Sequence, residues 1–272
     1  MSPGVERLLI AAARVCAAAV VSIAPLVLIA LVAATLAALF KRVSMPADAA
    51  FWLLLSSVGF GLVGATMGTA LGVGAALYAV EIASPGLRQT IKALVGALHA
   101  VPAVGFGVVA AGALLVTPLL PNVGVTIAIA SMVIIVMVAS VVFVQTRRAL
   151  SGLPDDLRVV AAAAGADPVS AATQAVLPAL QRNIAGIWWS SFALALGEAT
   201  ALQIVFSAAA VKAEAFGMAF LPGTLASALL QVGASTRSDA LLGMAPAALL
   251  LLAMTISAVV LGRRAVGHVP WP

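Results

Sequence analysis

Long apolar runs separated by short clusters of charge set the plan of this chain. Runs with at most one charge cover about Leu8 to Phe40, Phe51 to Ala83, Ile91 to Val116, Val123 to about Gln145, Ile184 to Ala210 and Leu241 to Leu261. A hydrocarbon core about 30 Å thick needs about 20 apolar residues at 1.5 Å per residue, and every run reaches that length. The strands of an outer-membrane barrel would instead be segments of about 10 residues with alternating polarity, and no such alternation occurs. The expected fold class is therefore all-α, a polytopic helical membrane protein with about six transmembrane helices. The first run is about twice the 7 to 15 residues of a signal-peptide core, so it reads as a retained helix. Residues 1–50 then form an N-terminal span with an outer loop, and residues 51–272 a membrane core.

Composition agrees with this pattern. Hydrophobic residues are 64% of the 272 and charged residues 8%, where a soluble domain carries roughly a quarter charged. The mean hydropathy is +1.20 and the pI about 10.4. That basicity does not suggest nucleic acid, because the cations form no continuous patch and aromatics are only 5%. It reads as topology. With six spans and both termini in the cytoplasm, the inside segments hold Arg7, Arg14, Arg88, Lys92, Arg147, Arg148, Arg158, Arg182, Arg263 and Arg264. The outside segments hold Lys41, Arg42, Lys212 and Arg237, as the positive-inside rule requires. The single cysteine, Cys16, lies in an apolar run and reads as inert packing.

Two connecting segments are too long for simple turns. The outer one, 211–239, carries Phe216, Phe220 and Pro222 and has no predicted shape. The inner one, 146–183, is the most charged part of the chain and follows helix grammar. Leu153-Pro154-Asp155-Asp156 starts a helix, with proline in the first turn and carboxylates at the positive end of the helix dipole. Gly165 ends that helix, as glycine does where positive φ is required. Asp167-Pro168 opens a second short helix through Val176, and Leu177-Pro178 closes it. The product is a two-helix, mostly apolar knob suited to a groove on another protein.

This loop resembles the coupling loop of the membrane subunits of bacterial ABC importers, whose pattern is Glu-Ala-Ala, three residues, Gly, eleven residues, Leu-Pro. Gly165 and Leu177-Pro178 fall at that spacing, and Arg158 and Ala161 also match, while Val159 stands where the glutamate usually is. Other segments are similar to phosphate-importer permeases of the PstC and PstA type: Gly72 to Ala83 followed by Pro85; Leu98 to Gly107 with Val101-Pro102 and Phe106-Gly107; Ala195-Leu196-Gly197-Glu198; and Gly223-Thr224-Leu225-Ala226-Ser227, which is closer to PstC. The resemblance implies a MetI-like ABC importer permease core in the bacterial inner membrane. It further implies a second permease subunit, a dimer of ATP-binding cassette ATPases carrying ATP and Mg, and an extracytoplasmic solute-binding protein. Contact with the ATPases would fall to Arg158, Ala161, Gly165, Leu177 and Pro178.

Candidate pathway residues come from polarity at depth. Glu198 is about 14 residues, or about 21 Å, into the fifth predicted helix, where a carboxylate costs several kcal/mol unless paired, hydrated or protonated. It marks a transport path or a structural hydrogen bond between helices. Ser191 lies seven residues earlier on the same face, and Ser190 and Thr200 are further hydroxyls nearby. Pro102 breaks the ladder of the third predicted helix and frees a carbonyl, either as a ligand or gate element or as an ordinary kink. His99, one turn earlier, is a pathway residue or a buried neutral imidazole bridging helices. Gly61, Gly64, Gly68 and Gly72 predict close helix packing, with the subunit interface as one location. In the phosphate permeases an arginine usually stands four residues before the glutamate; here it is Leu194, so the donors for an anion must come from elsewhere or the substrate is another solute. No Gly-x-x-x-x-Gly-Lys-Ser/Thr sequence occurs, so the chain is expected to bind no nucleotide, hold no cofactor or metal and catalyse nothing itself. An intramembrane enzyme would need a second deep acid, a Ser/His pair or a metal set; an inverted-repeat transporter would leave the loop unexplained.

Overall fold

The computed structural model describes residues 47–116, 123–198, 200–215, 223–224, 226–227 and 238–266. The first predicted span, Cys16 and the N-terminal cations lie outside the described residues. Ten helices are described: α1 (Ala47–Leu77), α2 (Pro85–Ala100), α3 (Ala103–Val116), α4 (Val123–Ser151), α5 (Asp156–Ala163), α6 (Pro168–Ala171), α7 (Leu177–Ala179), α8 (Gln181–Gly197), α9 (Thr200–Ala215) and α10 (Ser238–Val266). Two π-helical turns, Tyr78–Ile82 and Ala172–Val176, extend α1 and join α6 to α7. The chain is an all-helical membrane protein. Among the described residues Leu53–Ile82 and Gly124–Ser151 are each long and apolar enough to cross a bilayer, and two bent helix pairs bring the candidate spans to four.

Those bent pairs correct two expectations. The third predicted span is not one kinked helix: α2 and α3 meet at 92° across Val101-Pro102. The pattern on either side explains the corner. α2 contains Arg88, Gln89, Thr90, Lys92 and His99 and has no buried residue, whereas α3 is apolar throughout and buries Gly107, Ala110, Ala111 and Leu114. The fifth predicted span likewise divides, α8 and α9 diverging by 45° after Gly197. In addition, α4 runs on to Ser151, so the predicted loop 146–183 begins inside a helix, and α9 continues to Ala215.

α4 is the centre of the bundle, packing on α1, α2, α3, α8 and α9 and burying Ile134, Val138, Val142, Phe143 and Leu150. Its seam with α1 is made by glycine. A methyl group on Gly64 would strike the Ile134 side chain, one on Gly68 would lie 2.5 Å from Val138 Cγ1, and one on Gly72 2.7 Å from the Ala139 carbonyl. Each four-residue step on α1 matches a four-residue step on α4, so the two helices run parallel with backbones close over about 12 Å. The glycine stripe is therefore a seam inside the subunit. On the other side, α8 packs on α10 through a stack in which Trp188 lies parallel to Phe192 at 5.7 Å and Trp189 stands edge-on to both.

Candidate functional site

The knob is built largely as its sequence directs, with two differences. α5 starts after the turn Pro154-Asp155, but Asp155 makes no side-chain cap; its carboxylate instead takes a 3.2 Å hydrogen bond from Arg158 Nη1. At the other end Gly165 has φ +80°, the sole left-handed residue described. The amide of Ala166 donates to the Ala161 carbonyl and that of Gly165 to the Ala162 carbonyl, both at 3.0 Å. This is a complete Schellman turn, and a bulky or β-branched side chain at 165 would oppose it. Ala161 thus contributes its carbonyl to the turn. The second limb opens on Asp167, whose carboxylate accepts from the Val169 amide at 3.2 Å with Pro168 in the first turn. Hydrogen bonding with the Ser170 side chain, more than any other cause, holds the Asp167 carboxyl below its ordinary value.

Leu177-Pro178 does not close this limb as expected. The helix widens into the π turn Ala172–Val176, in which the Leu177 amide reaches the Ala172 carbonyl, and the chain continues through α7 into α8. Proline lacks an N–H and crowds the carbonyl four residues back; the wider turn makes room for the ring. Val176 and Leu180 are buried at the knob base with Ala76, Ala79, Phe143 and Leu150. The outer face is different: Val159 is 64% exposed, Val160 67% and Val169 51%.

Arg158 joins the knob to the bundle. Its guanidinium grips Glu81 in the first π turn with two nitrogens of one edge, Nη2 to Oε1 at 2.9 Å and Nε to Oε2 at 3.1 Å, and Nη2 also reaches the Leu150 carbonyl at 3.3 Å. Glu81, foremost by hydrogen bonding, raises the Arg158 pKa above its ordinary value. The sequence marked both residues in separate motifs without pairing them. Arg88 holds the same π turn, donating to the Val80 carbonyl at 2.7 Å.

The candidate pathway residues fall in three places. Glu198 sits at the end of α8, not within a continuous helix. Its Oε1 accepts from Thr200 Oγ1 at 2.9 Å and from the Ala201 amide at 3.0 Å. It is the N-terminal cap of α9, an anion on the positive end of a helix dipole. Glu198 and Thr200 are thereby brought together. Gly107 of α3 rests on this same turn, where an added methyl would lie 2.9 Å from Ala201 Cα; that contact accounts for the glycine of the Phe106-Gly107 motif. Ser191 is fully buried and its Oγ has no hydrogen-bond partner among the described residues, while Ser190 donates to the Ile187 carbonyl at 2.8 Å.

Pro102 and His99 are at the α2–α3 corner. The carbonyl that Pro102 was expected to free, on Leu98, accepts from the Val101 amide at 3.2 Å. His99 is exposed in the single chain and has no described contact bridging two helices. Beside the corner a groove of about 540 Å³ runs along α3 and α4, lined by apolar side chains such as Leu98, Phe106, Val109, Met132 and Val136. It offers no donor to an anion. The charged residue that the sequence placed outside the helices, Lys212, is buried in α9 and donates to the Leu114 carbonyl near the end of α3 at 2.6 Å, a cation at the negative end of a helix. Between α9 and α10, Thr224 and Ser227 exchange backbone-to-hydroxyl bonds, and Ser56 of α1 donates to the Gly223 carbonyl at 2.6 Å.

The fold is similar to that of solved structures. Two crystal forms of the methionine ABC transporter MetNI in inward-facing conformations are similar to this chain. One covers 84% of it and 100% of the matched chain with a TM-score of 0.56, the other 81% and 99% with 0.50, both at 19% identity. The fold is that of a MetI-like ABC importer permease. No family model and no curated protein matches the sequence. In the permease fold, the Gly165 turn and the Arg158–Glu81 pair lie at one end of α1 and α4, and the Glu198 break lies between the two limbs of a separate bent pair.

Proposed function

We propose that this chain is a permease subunit of an ATP-driven importer in the bacterial inner membrane, with both termini cytoplasmic and residues 154–178 docking on ATPase subunits. The observation that carries the reading is the Gly165-turned helix pair, which presents Val159, Val160 and Val169 outward while fixed at its base to the ends of the long helices α1 and α4. A rigid apolar projection of this kind suits a groove on a moving partner. A second permease subunit completes the pathway, and a solute-binding protein delivers substrate from outside. ATP and Mg belong to the ATPases. Closure of the ATPases displaces the knob, and the helices turn that displacement into alternating access. The test is reconstitution with the ATPase and binding protein. Gly165→Val should leave ATP hydrolysis running while uptake falls at least about tenfold. Normal uptake in that variant would remove the knob from the coupling path.

For substrate we propose inorganic phosphate, on the strength of the motifs around Glu81, Pro102 and Glu198. Glu198 is committed to capping α9 and the groove along α3 is apolar, so the donors that neutralise phosphate come from the partner permease. A second reading, another oxyanion or a small solute, is favoured by Leu194 standing where the phosphate permeases usually have arginine and by the likeness to a methionine transporter. Uptake of phosphate, other oxyanions and methionine by the reconstituted assembly separates the two. Transport of another solute with phosphate excluded would overturn the phosphate reading alone.

A further inference from the structure

The two limbs of the knob are held in different ways. The second limb is anchored by apolar burial, because Val176 and Leu180 sit in the cluster formed by Ala76, Ala79, Phe143 and Leu150. The first limb, α5, has no buried residue at all. It leans on the second limb, and among the described side-chain hydrogen bonds its link to the long helices is the Arg158 guanidinium. That one group ties together three parts of the chain, with the Nε–Nη2 edge on Glu81, Nη2 also on the Leu150 carbonyl and Nη1 on Asp155. Glu81 has 11% of its side chain exposed and Arg158 30%, so water competes weakly for the pair. Two-pronged Arg–carboxylate contacts also fix orientation as well as distance.

The place where the pair attaches is equally specific. Glu81 belongs to a π turn rather than to regular helix, and the Ala83 amide closes it on the Tyr78 carbonyl at 2.8 Å. Arg88 holds the turn from the other side through the Val80 carbonyl. Beyond that turn lies the glycine seam that binds α1 to α4.

We infer that Glu81 and Arg158 are positioning residues for coupling: their ion pair links the first limb of the docking knob to α1, so that displacement of the knob is passed to the α1–α4 pair instead of being absorbed between the limbs. The inference rests on the proposed docking of residues 154–178 on an ATPase. Neither side chain has to touch the ATPase for this, since the two are engaged with each other at the base of the knob.

The test is the number of solutes taken up per ATP hydrolysed by the reconstituted complex, measured with a panel that includes phosphate and methionine. Glu81→Gln, which lies outside the docking segment, should lower that ratio at least about threefold while ATP hydrolysis persists and the ATPases still co-purify, and Arg158→Gln should lower the ratio by a similar factor. The double variant should be no worse than either single one, and the exchange Glu81→Arg with Arg158→Glu should recover part of the ratio. Should Glu81→Gln prevent assembly, Glu81→Asp, which keeps the charge but shortens the reach, is read in its place with the same expectation. An unchanged ratio in the single variants, or additive losses in the double variant, overturns the inference. These outcomes are distinct from failure of the underlying reading, in which the unaltered chain recruits no ATPase or Gly165→Val leaves uptake intact.

Discussion

The knob and the broken span handle exposed backbone groups in opposite ways. At the knob, a glycine with φ +80° closes the end of α5 by backbone hydrogen bonds alone, and side chains are left free to face outward. At the broken span, a charged side chain does the closing, because Glu198 turns back to cap the first turn of α9. On the proposed topology, the difference comes from the surroundings. A turn in water can leave groups to solvent, whereas a helix end within a membrane must satisfy them internally. A carboxylate at that depth is tolerable because it replaces missing acceptors, and its cost falls accordingly. A deep acid in a membrane helix thus marks a break in the helix as readily as a contact with cargo.

The comparison breaks most sharply at the turn. A β-branched residue at 165 forces a left-handed conformation costing about 1–2 kcal/mol and should abolish the fixed angle between limbs, read as lost uptake by the reconstituted complex and as new proteolytic cleavage within 160–170. Gly165→Asn, which tolerates left-handed φ, should retain most uptake. Next in size is the α1–α4 seam. Gly72→Val places atoms against the Ala139 carbonyl and Val142, and overpacking of this kind costs about 1–3 kcal/mol. The expected outcome is a thermal midpoint in detergent lowered by several degrees, with Gly59→Ala, which meets nothing within 4 Å, as the silent control.

Glu198 should give a smaller and more discriminating effect. As a cap, Glu198→Gln keeps an acceptor and loses a few tenths of a kcal/mol, while Glu198→Ala loses about 1 kcal/mol; thermal midpoints of the two variants measure this. If the carboxylate instead meets a cationic solute, Gln and Ala will reduce uptake alike, and the cap assignment fails as the functional explanation. The smallest effect lies at Asp167. Its carboxyl titrates below the ordinary value in the folded chain, so its contribution is complete above the unfolded pKa and is lost as pH falls through the folded one. NMR titration of a carbon-labelled aspartate should place its midpoint under the ordinary aspartate value, and Ser170→Ala should move it back up.

Much of the knob was legible because its chemistry is local. Proline-aspartate pairs open helices and glycine closes them within a few residues, so spacing alone marks the Gly165 turn. The Arg158–Glu81 pair was not legible for the opposite reason: 77 residues separate the partners, and only the packing of α1 beside α4 brings them together. A signal existed in retrospect, since each is a charge at the margin of an otherwise apolar segment and wants an opposite. Pro102 was visible, but its 92° corner depends on the contrast between its two flanks, amphipathic before the proline and wholly apolar after it. The break at Glu198 left almost no trace, because hydropathy averages over the residues that would reveal it and Thr200 is too common a residue to announce a cap. Pro178 misled in the other direction: proline predicts a stop, and a widened turn let the helix proceed.

The glycine seam has a mechanical consequence. Two rods laid side by side and free to slide bend almost as easily as one, but rods bonded along their length behave as a single thicker beam. Gly64, Gly68 and Gly72 set against Ile134, Val138 and Val142 supply that bond, interlocking the helices so that sliding would require each side chain to climb out of its notch. On the proposed coupling, a push delivered at the end of this beam reaches its other end with little lost to flexure.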